Sequence, residues 1–370
     1  VNKRTMVSSF ATALLVAVAA PAAAYAQSTS VTLYGVVDTG VAFVNGVGPS
    51  RHSQAYIPNF SGTVPSRWGL RGSEDLGGGN KAIFTLESGF SPDSGVSVQG
   101  GRLFGRQALV GLSGSWGQVS LGRQYTMLLW AMPDADLLGP NVFGLSSFDT
   151  YLPNARTDNA VAYKGTFGGV TIGATYSFGR DSVNASSPSG TNCAGENAAD
   201  NRQCREWSLL VKYDSALGGV AAAYDSQRGG PGAFAGLTSS SLKDDRLALN
   251  GYVMVGQAKM AGGWLRRNNQ GSKTSTSDLY YLGLAYPVTS AFTAEAEGFH
   301  QRFHNSANKA WMIAMRGTYA LSKRTFLYGT GGFIANRGTL TLSVNSGSTG
   351  TNTSEGGNQL GAMVGMKHLF

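Results

Sequence analysis

Few residues of this 370-residue chain have types that could make or break bonds. The four histidines are His52, His300, His304 and His368. A hydrolytic triad needs a histidine held beside a serine and an acid or amide. His52 and His304 fall in loop-like stretches and His368 in the terminal strand, which leaves His300, read here as strand lining. No Walker loop, nucleophile elbow or paired-cysteine metal motif occurs, so the sequence assigns no catalytic residue, no metal and no cofactor. Cys193 and Cys204 lie eleven positions apart in a stretch of Asn, Gly, Ser, Asp and Glu. In an exported chain that pair reads as a disulfide closing one loop, worth about 3 kcal/mol against the loop's own unfolding. The alternative, a metal site, would have two cysteines and no histidine nearby.

The charges are placed for a different task. Arg67 and Arg71 oppose Trp68 and Leu70, and Arg156 shares a face with Asp158 and Lys164, opposite Val161 and Tyr163. Asp38, Glu87, Glu295, Glu297 and Arg316 likewise sit opposite apolar partners. Charges held on one side of a wall, with oil on the other, set up a field in the water on their side. Charged residues make up only 14% of the chain, with Lys and Arg scattered among Ser, Thr and Gly, which disfavours a disordered tail or a nucleic-acid partner.

The elements that must position these charges are strands. Fifty-two glycines disfavour helices, where each interior Gly costs about 1 kcal/mol relative to Ala. Lys3 and Arg4, the apolar run 11–20 and the small-x-small site Ala24-Tyr25-Ala26 mark residues 1–26 as a secretory signal, with an uncleaved anchor as the alternative. Cleavage would leave one domain, 27–370, of net charge +6, because the segment removes two of the +8 charges and no acid. From Ser30 onward the apolar period is two: Val31, Leu33, Val37, Val41 and Phe43 oppose Thr32, Tyr34, Asp38 and Gly40. The pattern predicts sixteen strands, at 31–44, 64–74, 80–90, 102–113, 117–124, 156–165, 170–179, 206–214, 220–228, 244–255, 258–267, 278–286, 291–303, 309–320, 324–335 and 358–370. Short and long connections alternate between them, the longest being 125–155.

An even number of antiparallel strands of about ten residues, short turns at one end and long loops at the other, is the plan of an outer-membrane barrel. In lipid every backbone N–H and C=O needs a partner, and only closure removes the sheet edges. Tyr34, Trp68, Tyr163, Tyr176, Tyr213, Tyr281, Tyr286, Trp311, Tyr319, Phe326 and Tyr328 fall toward strand ends, as interfacial girdles do. A soluble β-sandwich is the competing fold. The apolar-stepped last strand ending in Phe370 resembles the signal read by the outer-membrane assembly machinery.

The strings SVTLYGVVDTG (30–40), SRWGLRGSEDLGGG (66–79), GLSGSWGQVSLGRQ (111–124), LSKRTFLYG (321–329) and the final GMKHLF together resemble the trimeric general porins of Gram-negative bacteria, in particular the betaproteobacterial branch. The resemblance implies an all-β, sixteen-stranded antiparallel transmembrane barrel with short periplasmic turns, long extracellular loops and a third loop folded into the lumen. It implies a homotrimer in the lipid and lipopolysaccharide of the outer membrane, passing small hydrophilic solutes and ions by diffusion with weak anion preference. The acids Asp134, Asp136 and Asp149 of loop 125–155 would face a basic wall of Arg67, Arg71 and Arg156. Arg106 matches a further wall position, yet it shares a face with Ala108, Val110 and Leu112, so it reaches the lumen only through a bulge or if Leu109 is the lipid-facing residue. Arg123, beside Val119 and Leu121, raises the same difficulty, although it ends its strand and could bend inward. A solute-specific channel, an adhesin working through the long loops and a barrel enzyme are the competing functions.

Overall fold

The structure, a computed structural model, describes residues 29–139, 141–181, 191–346 and 350–370; the expected signal segment lies outside the described residues. Sixteen strands form one ring: β1 (Thr29–Val47), β3 (Arg67–Gly77), β4 (Asn80–Gly89), β5 (Gln107–Gly114), β6 (Gly117–Tyr125), β7 (Arg156–Phe167), β8 (Val170–Ser177), β9 (Glu206–Asp214), β10 (Gly218–Arg228), β11 (Lys243–Val255), β12 (Ala258–Asn269), β13 (Thr276–Pro287), β14 (Phe292–Phe303), β15 (Lys309–Ala320), β16 (Thr325–Arg337) and β17 (Asn358–Leu369). A short β2 (His52–Tyr56) extends the loop end of β1. The ring closes where β1 pairs antiparallel with both β3 and β17, with Val41 opposite Val364.

The period-two pattern sets which way each strand faces, and the faces are the reverse of a soluble protein's. Trp311, Ile313 and Met315 of β15 are exposed, while Ala310, Met312 and Ala314 are buried. On β9, Trp207, Leu209, Val211 and Tyr213 point out, and Glu206, Ser208 and Leu210 point in. An apolar belt of this kind is stable only where the surrounding medium is itself apolar. Four of the aromatics expected in the girdles turn inward instead: Tyr281 and Tyr328 are buried, the Tyr34 hydroxyl donates to Glu87, and Phe326 pairs with the inward Lys367, whose ammonium lies over its ring. Strand parity decides this, since Tyr280 takes the outward position beside Tyr281.

The core lies inside the ring. Loop 126–155 folds back into the barrel, and its Met127, Leu128, Leu138, Phe143, Leu145 and Leu152 are almost completely buried against Ala162, Ala221, Ala248 and Ala314 of the wall. Small wall residues leave room for the large loop residues, each worth about 1.5–3 kcal/mol when buried. The seat for Phe143 needs glycine: a Cβ on Gly361 would stand 3.0 Å from its ring and 2.9 Å from Val344. In the fourth loop Cys193 and Cys204 are disulfide-bonded, and they pack on Ala233 and Leu237 of the fifth.

Candidate functional site

Three sets of contacts fix loop 126–155 to the wall. At its start, the Met127 N–H donates to Ser208 Oγ at 2.9 Å, Asp134 bonds Lys212, and the Lys164 ammonium sits 3.2 Å from the Trp130 ring centre. At its middle, Arg316 donates to the carbonyls of Leu137 and Leu138 at 2.9 and 2.8 Å while holding Glu295 at 2.6 Å. Glu297 accepts from the Leu138 N–H at 3.1 Å. At its end, Asp149 receives two bonds from Arg246, at 2.7 and 3.3 Å, and the Tyr151 hydroxyl lies 2.7 Å from Glu206 and 3.0 Å from Asp225. The guanidinium groups of Arg180 and Arg246 stack on the Tyr151 ring.

These partners settle the loop's electrostatics. Burial alone would raise the Asp149 carboxyl, but Arg246 and Arg267 outweigh it and hold it down at about 2. Asp136 is equally buried, and the pull of Arg316 and of the Gly139 backbone N–H does not outweigh that burial, which pushes it up to about 7. Burial, together with Asp225 and Glu206, pushes the Tyr151 hydroxyl well above its usual range.

Between the loop and the opposite wall lies a cavity of about 310 Å³. Its charged lining is Arg106, Arg156, Arg316 and Lys367 against the single carboxylate Asp136. Arg106 gets there by a bulge. Glu87 pairs in register with Gln107, yet its carbonyl accepts the Arg106 N–H at 3.0 Å, so two residues oppose one and Arg106 leaves the outward face of Val110 and Leu112. Leu109 is buried on the inner side, which removes the other route considered for Arg106. Arg106 donates to Glu87 at 2.8 Å and to the Tyr125 hydroxyl at 2.7 Å, while Arg67 stands 3.4 Å from the second Glu87 oxygen. Arg156 lies over the Tyr125 ring, 5.0 Å from its centre.

The remaining sequence candidates sit elsewhere. Arg71 stacks on Tyr34, four residues along the strand from Arg67 toward the short-turn end. Asp38 is buried under the first loop, accepting from the Thr63 and Val64 N–H groups and from the Tyr328 hydroxyl at 2.7 Å. Arg123 does not join the cavity: it pairs across from Ala108, on the outward face, and bonds Asp158 at 2.5 Å. Arg102 completes that cluster by bonding Asp158 at 3.1 Å and Asp181 at 2.5 Å. Two of the three loop acids, Asp134 and Asp149, bond Lys212 and Arg246 rather than the expected arginines. His300 lies on the outer wall, stacked 3.7 Å from Trp311.

Lys212, Arg246, Glu206, Asp225 and Lys367 are site residues the sequence reading passed over. Parity would have found Lys367, which pairs directly with Asp38 across the seam. Arg180 carried no signal, because it lies in irregular chain beyond β8.

A closed ring with an apolar outer belt, narrowed from within by a pinned loop that leaves a charged cavity, defines a transmembrane channel of the outer-membrane barrel class. Residues 11–339 match the family described as Gram-negative porin. The chain is 32% identical to outer membrane porin protein 32 of Delftia acidovorans, over 96% of this chain and 98% of that one. It is 30% identical to an outer membrane porin protein of Bordetella pertussis, over 88% and 94%. Among solved structures, the anion-selective porin from Comamonas acidovorans superposes with a TM-score of 0.75 at 27% identity, covering 93% of this chain and all of that one. The chain therefore belongs to the Gram-negative porin family and resides in the outer membrane.

Proposed function

We propose that this chain is a general diffusion pore for small hydrophilic solutes and ions, with weak anion preference set at the cavity beside loop 126–155. One observation carries the reading: four cationic side chains and one carboxylate line that cavity, a formal excess of three positive charges. The similarity to the anion-selective porin from Comamonas acidovorans supports it. Preference stays weak because the Debye length near 0.15 M salt, about 8 Å, is comparable to the pore's own dimension, so neither sign of ion is excluded. The charged lining orients dipolar solutes and disfavours apolar ones. Of the basic wall, Arg106 and Arg156 act at the cavity with Arg316 and Lys367, and Arg67 adds to the field from beside Glu87. Asp134 and Asp149 act as anchors of the loop. The working form is a homotrimer, exported through a cleaved signal at 1–26. Reversal potential in a KCl gradient tests the selectivity, and a cation-favouring sign overturns it. Crosslinking of the detergent-extracted protein tests the trimer.

A further inference from the structure

The wall is interrupted beside the cavity. β1 pairs with β3 as far as Val36 and with β2 only from Ala42, so residues 37–41 have no strand on that side. There the first loop leaves the wall, and residues 57–66, between β2 and β3, turn into the lumen. Pro58 and Pro65 bracket this strap, and neither can donate to a ladder, so the chain does not continue as strand. Phe60 packs on the core under the third loop. Thr63, Val64 and Pro65 line the cavity, so part of its boundary is this strap and not a strand.

Asp38, the wall residue at the gap, holds the strap. Its Oδ2 accepts from the Thr63 hydroxyl at 2.5 Å and from the Thr63 and Val64 N–H groups at 3.0 and 2.9 Å. Its backbone N–H donates to Ser66 Oγ at 3.0 Å, and its carbonyl accepts from the same hydroxyl at 2.9 Å, in place of the missing strand. Its Oδ1 accepts from the Tyr328 hydroxyl at 2.7 Å. Tyr328 in turn closes on Gly62 of the strap, where a Cβ would stand 2.6 and 2.7 Å from the ring atoms Cε2 and Cζ. From the other side, the Asn141 amide of the third loop donates to the Thr63 carbonyl. Hydrogen bonds to an ionised acceptor are about twice as strong as neutral ones, so a carboxylate is well suited to this anchorage. Asp38 is closed to solvent, and its oxygens face donors rather than the passage.

We propose that Asp38 is a positioning residue of the aperture: through Thr63, Val64 and Ser66 it holds the first-loop strap in the lumen as a second boundary of the cavity, beside loop 126–155. The inference rests on the reading of that cavity as the aperture. A volume of 310 Å³ corresponds to an opening about 8 Å across. A peptide segment takes up about 4.8 Å of width, so withdrawal of the strap in one direction should enlarge the cross-section roughly 1.6-fold.

The test is single-channel recording in 1 M KCl, where a Debye length of about 3 Å leaves fixed charges little influence and conductance reports width. The size cut-off for neutral polyethylene glycols is the second measure. Asp38→Ala removes the anchor, and Gly62→Val forces the strap off Tyr328 while leaving the Asp38 charge in place. Each should raise conductance about 1.6-fold and admit larger polymers. Gly62 lies outside the wall strands, so Gly62→Val carries the test where Asp38→Ala yields no folded channel. Asp38→Asn, which keeps an acceptor oxygen for the strap amides and removes the charge, should retain the conductance and cut-off of the unaltered channel. Unchanged conductance and cut-off in both Asp38→Ala and Gly62→Val overturn the proposal. So does a reversal potential moved toward anions equally by Asp38→Asn and Asp38→Ala at unaltered conductance, which would make Asp38 a lumen charge compensating its register partner Lys367. Arg156→Ala in the same preparation separates the two readings: a selectivity shift there with silent strap variants refutes the strap alone, and silence in all of them refutes the aperture reading as well.

Discussion

Arg156 is the cavity residue whose charge can be removed with least disturbance of its neighbours. Arg106 is neutralised locally by Glu87, and Arg316 holds Glu295 and two loop carbonyls, whereas Arg156 lies on the Tyr125 ring and touches Asn154 at 3.5 Å. The 310 Å³ cavity has the volume of a sphere about 4 Å in radius. A unit charge about 4 Å from a passing ion in water interacts by about 1 kcal/mol. Screening over that distance at 0.15 M salt reduces this to about 0.6 kcal/mol. Arg156→Ala should therefore lower anion occupancy roughly threefold and raise cation occupancy by as much, close to a tenfold change in the permeability ratio. In a planar bilayer with a tenfold KCl gradient, the reversal potential should move toward the K⁺ potential by tens of millivolts. Asp134→Asn, whose partner Lys212 lies outside the cavity, is the control and should shift it far less. Equal shifts from the two variants, or none from Arg156→Ala, would show that the selectivity-setting aperture lies elsewhere.

Asp136, with its carboxyl pushed up to about 7, should protonate as pH falls from 8 to 5, removing the cavity's one negative charge. Anion preference should rise across that interval in reversal-potential measurements, and Asp136→Asn should weaken the pH dependence. The same raised group favours the folded state as pH falls from about 7 toward its unfolded value near 4. Asp149 has the opposite sign: held at about 2, its contribution is intact above about pH 4 and is lost between about 4 and 2. Asp149→Asn breaks the buried pair with Arg246, which keeps Asp244 at 3.1 Å, and should destabilise the loop by about 3 kcal/mol. Larger, noisier single-channel currents would report the released loop; currents as quiet as the unaltered channel's would count against its anchoring role. Reducing the Cys193–Cys204 bond, which closes a loop of eleven residues, should remove about 3 kcal/mol of local constraint. Proteolysis of the fourth loop should speed up while conductance stays unchanged.

Strands were the most legible part of the chain, because lipid on one side and water on the other impose a strict alternation. The segment from Lys309 to Ala320 was readable to the residue at both ends. Where alternation broke, the reading broke with it. The strand expected from 102 starts at Gln107, since residues 102–106 belong to the second loop, and the bulge at Arg106 has no mark in sequence. Tyr34, Tyr281 and Tyr328 were misassigned because their type suits both a membrane interface and a buried hydrogen bond, and only parity separates the two. The partners of loop 126–155 were invisible for another reason. Asp149 and Arg246 are 97 positions apart, and that meeting depends on how far the loop reaches across the ring. Charge type could suggest that the loop's acids meet cations; it could not say which.

Fifteen of the sixteen wall pairings join strands that follow one another along the chain, but the sixteenth joins Val36 to Leu369. In the flexible, unpaired chain, bringing that pair together costs about 3 kcal/mol more than closing a ten-residue hairpin, which favours the local hairpins forming first. The topology thus favours a row of local hairpins with one long-range closure last. Until it occurs, β1 and β17 each present an unpaired edge to whatever surrounds them. Catalysts of insertion would act most effectively on this single step, and a substitution that weakens the Val36 to Val44 pairing with β17 should slow maturation far more than an equal loss between any two consecutive strands.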